Sequence, residues 1–436
     1  MKTSTDYRRP YRPLAVSLFN RAGRLARKLG FADDLDVGRM IGAARRRTGL
    51  SDFGDEWFLE PLQVLVRSVN AEARLTSLGA RIQASRIVSA LSIRLRAEDL
   101  LRRHPEILDL RLGKIVLIAG LQRTATTTLQ RLIAADPGIR ALRSWEALNP
   151  VPLGGERRGR PRRRMREAKR AARALGWLAP DFLAIHPIAW DEPEEDIFLL
   201  DVSFMSQTPE AAMHVPSYSK WLEAQDHTKP YEYMRTLLKI LAWQRPGDRW
   251  VLKTPHHMEH LDVILDVLPD VCVVQTHRDP KKSIPSFLSM VAHGRGILSD
   301  HVDPEVIGTH WMRKTLRMME RSMNVRSTAD GAAFVDVSYY DLLAEPVGEV
   351  RRVYGAAGLE FTWEAEDAAR AVSSRSVKDR HGRHVYAASS FGLDDATIDA
   401  SCEVYRRTYR IPDEAAMRPG PSAEDRSPPP VRDGGW

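Results

Sequence analysis

The residues best suited to chemistry fall in three short stretches, each with a cation where an apolar run gives way to a helical pattern. In Ile118-Ala-Gly-Leu-Gln-Arg-Thr-Ala-Thr-Thr-Thr-Leu129 the turn carries Arg123, then Thr124, Ala125, Thr126, Thr127 and Thr128. A helix start offers unpaired backbone N–H groups and the positive end of its dipole, so an anion sits well there. The threonines add hydroxyl donors and Arg123 adds charge, although a Thr-rich start also serves as a plain helix cap. In Val271-Cys-Val-Val-Gln-Thr-His-Arg-Asp-Pro280, Asp279 is placed as N-cap and Pro280 as first helical residue, with Arg278 just before them and Ser286 eight residues beyond it. Trp250-Val-Leu-Lys-Thr-Pro-His-His257 puts Lys253 at the end of a third run. Each cation alone is an ordinary surface ion-pair partner. Three of them at strand ends suit one crevice and a polyanionic ligand.

Against the phosphate-binding pattern G-x-x-x-x-G-K-[ST], Gly120 fits the first position, but Ala125 replaces the second Gly and Thr126 the Lys. An ordinary ATPase or kinase is therefore disfavoured, although Ile197-Phe-Leu-Leu-Asp201 could pass for an apolar run ending in a metal-binding Asp. Proton acceptors are His257, imidazole being the side chain whose chemistry suits a base near neutrality, and Glu192 or Glu195 in the acidic segment 191–196. That segment, with Pro193 in it, also describes a helix N-terminus. His256-His-Met-Glu-His260 satisfies H-x-x-E-H, the signature of a zinc hydrolase. A helix through Met258, Leu261, Ile264, Leu265 and Leu268 would put His256 and His260 on one face. No third ligand announces itself, however, and Arg123 and Arg278 would be left unexplained, so no metal is expected.

The elements that must hold these groups follow from periodicity. Leu59, Leu62, Leu65 and Val66, then Ile87, Val88, Leu91 and Leu95, recur at helical spacing, so residues 1–110 read as a helical extension. His104-Pro105 breaks that pattern, and Lys114–Gly120 follows as a buried parallel strand. Further strands are expected at Trp250–Lys253, Val271–Thr276 and Ala333–Val337. Strands separated by helices imply an α/β fold with a central parallel sheet flanked by helices in three layers, spanning 111–412. A long insertion, 140–249, contains the sharpest charge block, Arg157 to Arg173, read as a solvated loop and helix face. The end of the chain, 413–436, reads as a disordered tail, Pro, Gly, Ser and charge dominating from Arg418 onward.

Over 436 residues, Gly and Pro (27 each) are ordinary in number, which excludes collagen-like and wholly disordered chains. Cys272 and Cys402 are the only cysteines, so neither a disulfide framework nor a Cys-rich zinc site is available, and a reducing, cytoplasmic setting is the default. The net charge of +8 biases the chain toward anionic partners. The Arg block lacks the aromatic interleaving of a nucleic-acid surface, so no nucleic acid is expected. Neither a secretory signal nor a transmembrane segment is expected, the apolar runs being far short of the ~20 residues needed; peripheral membrane contact stays open.

Taken together, Gly120 to Thr128, Leu252-Lys-Thr-Pro255, His277-Arg-Asp-Pro280 with Ser286, and Val337-Ser-Tyr-Tyr-Asp-Leu-Leu343 resemble the sulfotransferase family. Thr48–Gly54 and Asp191–Asp196 further resemble its bacterial branch with a helical N-terminal extension, and the likeness runs from about 45 to 410 in the expected order. The resemblance implies a P-loop-like fold and a sulfuryl donor, 3′-phosphoadenosine 5′-phosphosulfate, with a hydroxyl or amine on a small-molecule, lipid or carbohydrate acceptor. It implies that residues 123–128 cradle the 5′-phosphosulfate, that Arg278 and Ser286 hold the 3′-phosphate, and that Tyr339 lies near the nucleotide. Asp379-Arg-His-Gly-Arg-His384 is similar to the family's closing basic loop, which makes Arg380 and Arg383 further candidates. Lys253 and Arg123 would stabilise the leaving oxygen, with His257 or Glu192 as base. Ala125 replaces the family's usual Gly, and Pro255 stands where its animal members have a catalytic His. A non-catalytic nucleotide-binding protein is the remaining alternative.

Overall fold

The computed structural model describes residues 7, 10–30, 34–185, 189–268, 270–329, 331–375 and 387–417. Arg380, Arg383 and residues 418–436 lie outside them. Five strands, β1 (Lys114–Ile118), β2 (Arg140–Ala141), β3 (Arg249–Lys253), β4 (Val271–His277) and β5 (Ala333–Ser338), form one parallel sheet in the order β2-β3-β1-β4-β5. The two-residue β2 pairs with the outer edge of β3 and opens the long insertion; it is too short to carry a periodic signal.

The alternation of side chains along the strands builds three layers. Ile115, Leu117, Trp250, Leu252 and Val273 face one core with helices α3 (Thr228–Gln244), α4 (Pro280–Leu298) and α5 (Pro304–Thr328). Val116, Ile118, Val251, Cys272 and Val274 face the other, against Leu129, Leu132 and Ile133 of α2 (Thr126–Ile133) and Val350 and Val353 of helix Pro346–Ala356. A strand buried on both faces needs the unbroken apolar run that β1 has.

The N-terminal helices Val37–Thr48, Leu59–Glu72 and α1 (Ser77–Arg103) gather around a second core, into which the insertion sends Phe204, Met205, Tyr218 and Leu222, while helix Leu14–Lys28 lies against α1. Helix α1 also gives Ile93, Ala97 and Leu100 to the sheet-facing core, so extension and insertion are packed as one body with the sheet. Most of the Arg block lies on the exposed helix Arg162–Leu178, but Arg164 turns inward to Glu156 at 2.9 Å. Three expectations are corrected. Ile197–Asp201 is a helix whose Asp201 pairs with Arg86, and the acidic segment leads into that helix with Asp196 at its N-cap, whereas Pro193 bridges to Arg143 rather than standing in its first turn. Beyond 412, Asp413 and Glu414 are held to the domain by pairing with Lys281 and Arg278. Among the described residues no helix is long and apolar enough to cross a membrane.

Lys314 of α5, 1% exposed, sits among Glu259, Glu223 and Glu210 at 2.9, 3.2 and 3.3 Å and ties the turn after β3 to the helical layer. Burial would raise Glu210, but the Lys314 charge and the His310 and Ser219 hydrogen bonds hold it at about 2. Stability from this carboxylate is thus complete above its ordinary value of 4.5 and is lost as the pH falls toward about 2. Removing the ammonium with Lys314→Met leaves buried carboxylates unpaired and is expected to cost about 3–5 kcal/mol, measured by urea unfolding at pH 7.

Candidate active site

The register of β1 with both neighbours sets Ile118 beside Lys253 of β3 and Val274 of β4, so three strand ends open on one edge of the sheet. The chain passes to one side of β1 for β3 and to the other for β4, which makes this edge the switch point where an open α/β sheet binds ligands. Gly120 lies so close to β4 that a Cβ would stand 2.8 Å from the Thr276 backbone nitrogen, hence the need for glycine. Beyond it Arg123 (φ 67°) and Ala125 (φ 68°) adopt left-handed backbone on either side of Thr124, and α2 begins at Thr126. Such alternation turns successive N–H groups into a concave anion site. Thr124 itself is spent on the fold: its hydroxyl donates to Leu121 O at 2.6 Å and meets Thr276 Oγ1 at 2.5 Å. Thr126 is buried, whereas Thr127 and Thr128 stay partly open on the first turn.

The expected cations converge. Arg123 Nε donates to Ser286 Oγ at 3.0 Å, and Arg278 Nη1 donates to the Arg123 carbonyl at 3.2 Å. The Arg278 guanidinium lies over the Tyr339 ring, 4.1 Å from its centroid. Lys253 is 2% exposed; its ammonium donates to Glu195 at 2.7 Å and to Thr127 Oγ1 at 3.4 Å, linking the end of β3 to the start of α2. Asp279 caps α4 through Lys281 N at 3.0 Å, as its position before Pro280 foretells.

Other placements differ from expectation. Glu192 is half exposed against Arg131, and Glu195, three residues on, is the carboxylate on Lys253. His257 is wholly buried with both ring nitrogens engaged, Nε2 with Asp196 at 2.9 Å and Nδ1 with the Tyr231 hydroxyl at 3.0 Å, so neither is open to an acceptor here. The helix expected through 256–268 is a 3₁₀ turn, Pro255–Glu259, broken at His260 before Leu261–Val267. Glu259, the base a hydrolase would use, is consumed by Lys314, Arg317 and Gln207. Sequence reasoning missed Glu414, whose carboxylate takes two hydrogen bonds from Arg278 at 3.0 and 3.1 Å. It also missed Asp196 as the partner of His257, although the acidic run signals it. A cavity of about 820 Å³ lies elsewhere, lined by Arg47, Arg96, Arg103, Arg157, Arg158 and Trp243 among others, and includes none of these strand-end groups.

This arrangement is that of a known class. The sulfotransferase family pattern matches residues 116–364, more than half of the chain, and the chain belongs to that family. It is similar in structure to sulfotransferase STF1 from Mycobacterium tuberculosis, with 32% identity and a TM-score of 0.74 over 85% of this chain and 98% of that one. It is similar also to sulfotransferase STF9 from Mycobacterium avium, with 25% identity and a TM-score of 0.77 over 88% and 98%. In sequence it is 25% identical over 270 residues to omega-hydroxy-beta-dihydromenaquinone-9 sulfotransferase Stf3 of Mycobacterium bovis and M. tuberculosis. That match takes in 56% of this chain and 62% of the relative.

Ala125 carries a side chain at an angle that favours glycine. Ala125→Gly is expected to stabilise the protein by about 1 kcal/mol in thermal or urea unfolding.

Proposed function

We propose that this protein transfers a sulfuryl group from 3′-phosphoadenosine 5′-phosphosulfate to a hydroxyl or amine acceptor. The observation that carries this reading is the hydrogen-bonded set Arg123, Ser286 and Arg278, with Lys253 level on the next strand. The residues fit such a donor: the Glu414 carboxylate, bound edge-on to Arg278, stands in for an anionic group there, and the 123–126 backbone is shaped for another. When bound, the donor supplies an activated sulfuryl group and a nucleotide leaving group.

In this reading Arg278 and Ser286 hold the 3′-phosphate, Tyr339 stacks beneath Arg278, and the N–H groups and hydroxyls of 123–128 receive the 5′ end. Lys253 and Arg123 stabilise negative charge on the leaving oxygen, the largest electrostatic demand of such a transfer. Glu195 takes the acceptor proton, being the carboxylate that is both partly exposed and in contact with Lys253. His257, held by Asp196 and Tyr231, positions the turn that follows Lys253.

For the acceptor we favour a lipid hydroxyl. The Stf3 relatives are named for a hydroxylated menaquinone. Here Leu14, Leu18, Leu25 and Leu29, each more than half exposed, make an apolar stripe beside exposed Arg21, Arg24 and Lys28 in a helix without acidic residues, a face suited to an anionic lipid surface.

A transfer assay with radiolabelled donor against lipid and water-soluble extracts tests reaction and acceptor together. Labelled lipid is expected, more from vesicles than from detergent; labelled carbohydrate would replace the acceptor class, and nucleotide binding without any transfer would leave a binding protein. Arg278→Ala is expected to weaken adenosine 3′,5′-bisphosphate at least about tenfold, read by calorimetry. Equal affinity would overturn the assigned phosphate site. Lys253→Ala and Glu195→Gln are expected to keep nucleotide affinity while kcat falls by roughly 10²–10³, with the acidic limb of the pH profile lost in Glu195→Gln. Glu414→Ala, which frees Arg278 from its internal partner, is expected to tighten nucleotide binding several-fold in the same calorimetric measurement.

A further inference from the structure

His227, His256 and His260 are brought together in the interior, and one nitrogen from each lies within 4.8 Å of the others. We propose that these three imidazoles form a buried site for a divalent transition metal, zinc by preference, that pins the turn after β3 to the start of α3. Imidazole is a common zinc ligand, and three of them leave one tetrahedral position for water. Tetrahedral metal–nitrogen bonds of about 2.0–2.1 Å put the nitrogens about 3.4 Å apart, so separations of up to 4.8 Å would close by up to roughly 1.4 Å on binding.

Three observations point to a ligand. His227 Nε2 donates to the Leu222 carbonyl at 3.1 Å, which leaves Nδ1 as a lone-pair nitrogen, buried and without a partner among the described residues. That is the support a metal-bound imidazole ordinarily has, its second nitrogen fixed by a carbonyl. His256 is 1% exposed, and neither of its ring nitrogens has a hydrogen-bond partner among the described residues. A buried polar ring left so calls for something to bind. The three rings are also immediate neighbours, His256 and His260 with centroids 4.7 Å apart and tilted by 54°, while His227 and His260 stack at 3.8 Å and would splay apart on sharing a metal.

The electrostatics are compatible. Burial holds the three imidazoles below their ordinary value, His227 at about 4, so all carry lone pairs at neutral pH. Lys314, whose charge acts on all three rings, is matched by Glu210, Glu223 and Glu259. With Glu259 committed to that ion network, no base stands ready to activate a metal-bound water, and the site is structural. His227 precedes α3, while His256 and His260 flank His257, so the metal would fix the segment that follows Lys253.

The test uses the full chain with any affinity tag removed. Mass-spectrometric metal analysis is expected to give one zinc per chain, and Co²⁺ added to chelator-treated protein is expected to give visible tetrahedral absorption bands. His256→Ala and His227→Gln should each weaken Co²⁺ binding at least about tenfold. His301→Ala, an exposed histidine outside the cluster, should not change it. Since a variant here can misfold, wild-type Tm with and without zinc gives a second measure, expected to rise with the metal. Wild-type protein that carries no metal, shows no cobalt bands and has the same Tm in zinc and in chelator would overturn the proposal.

Discussion

The arrangement depends on the parallel pairing of β1 with β3 on one side and β4 on the other. Because all three run the same way in near-level register, the turns leaving them emerge on one edge. Arg123, Lys253 and Arg278 are more than a hundred residues apart at the extremes, and no local structure would bring them together. The pairing does so, provided the end of β1 can lie against Thr276, which glycine at 120 permits. The two cores on either face of the sheet keep those ends rigid, as a preorganised anion site requires.

Around this edge the protein keeps its charges in pairs. Lys253 has Glu195, Arg278 has Glu414, and the deeper Lys314 has three carboxylates. Guanidinium and ammonium groups with little exposure are held in place by such partners at the cost of needing them displaced or shared when an anion arrives. Lys253 differs from Arg278 in this respect: its partner is itself a candidate for proton transfer, so ion pair and chemistry share one contact.

Much of this was legible in the residues. Continuous apolar runs gave the four longer strands, and the Asp279-Pro280 pair gave the start of α4 to the residue. What escaped had no local signature. The two-residue β2 shows no periodicity, and Glu414 belongs to a segment whose composition suggests a tail. Within the acidic run it is Glu195 and not Glu192 that meets Lys253, in a segment joined to Arg143 by a long-range bridge at Pro193 that no local pattern announces. The histidine pair at 256 and 260 was visible, but its third member lies in a different part of the chain, and spacing alone cannot supply it.

Glu414 gives Arg278 a ligand that never diffuses away. A carboxylate tethered to the same chain presents itself at a constant effective concentration, whatever the surroundings hold. Any free anion is therefore weighed against an internal competitor, and its apparent affinity is the intrinsic one scaled by the fraction of molecules in which that competitor is lifted. An anion that binds Arg278 would then fill its site over a higher concentration range than the contacts of Arg278 alone would set.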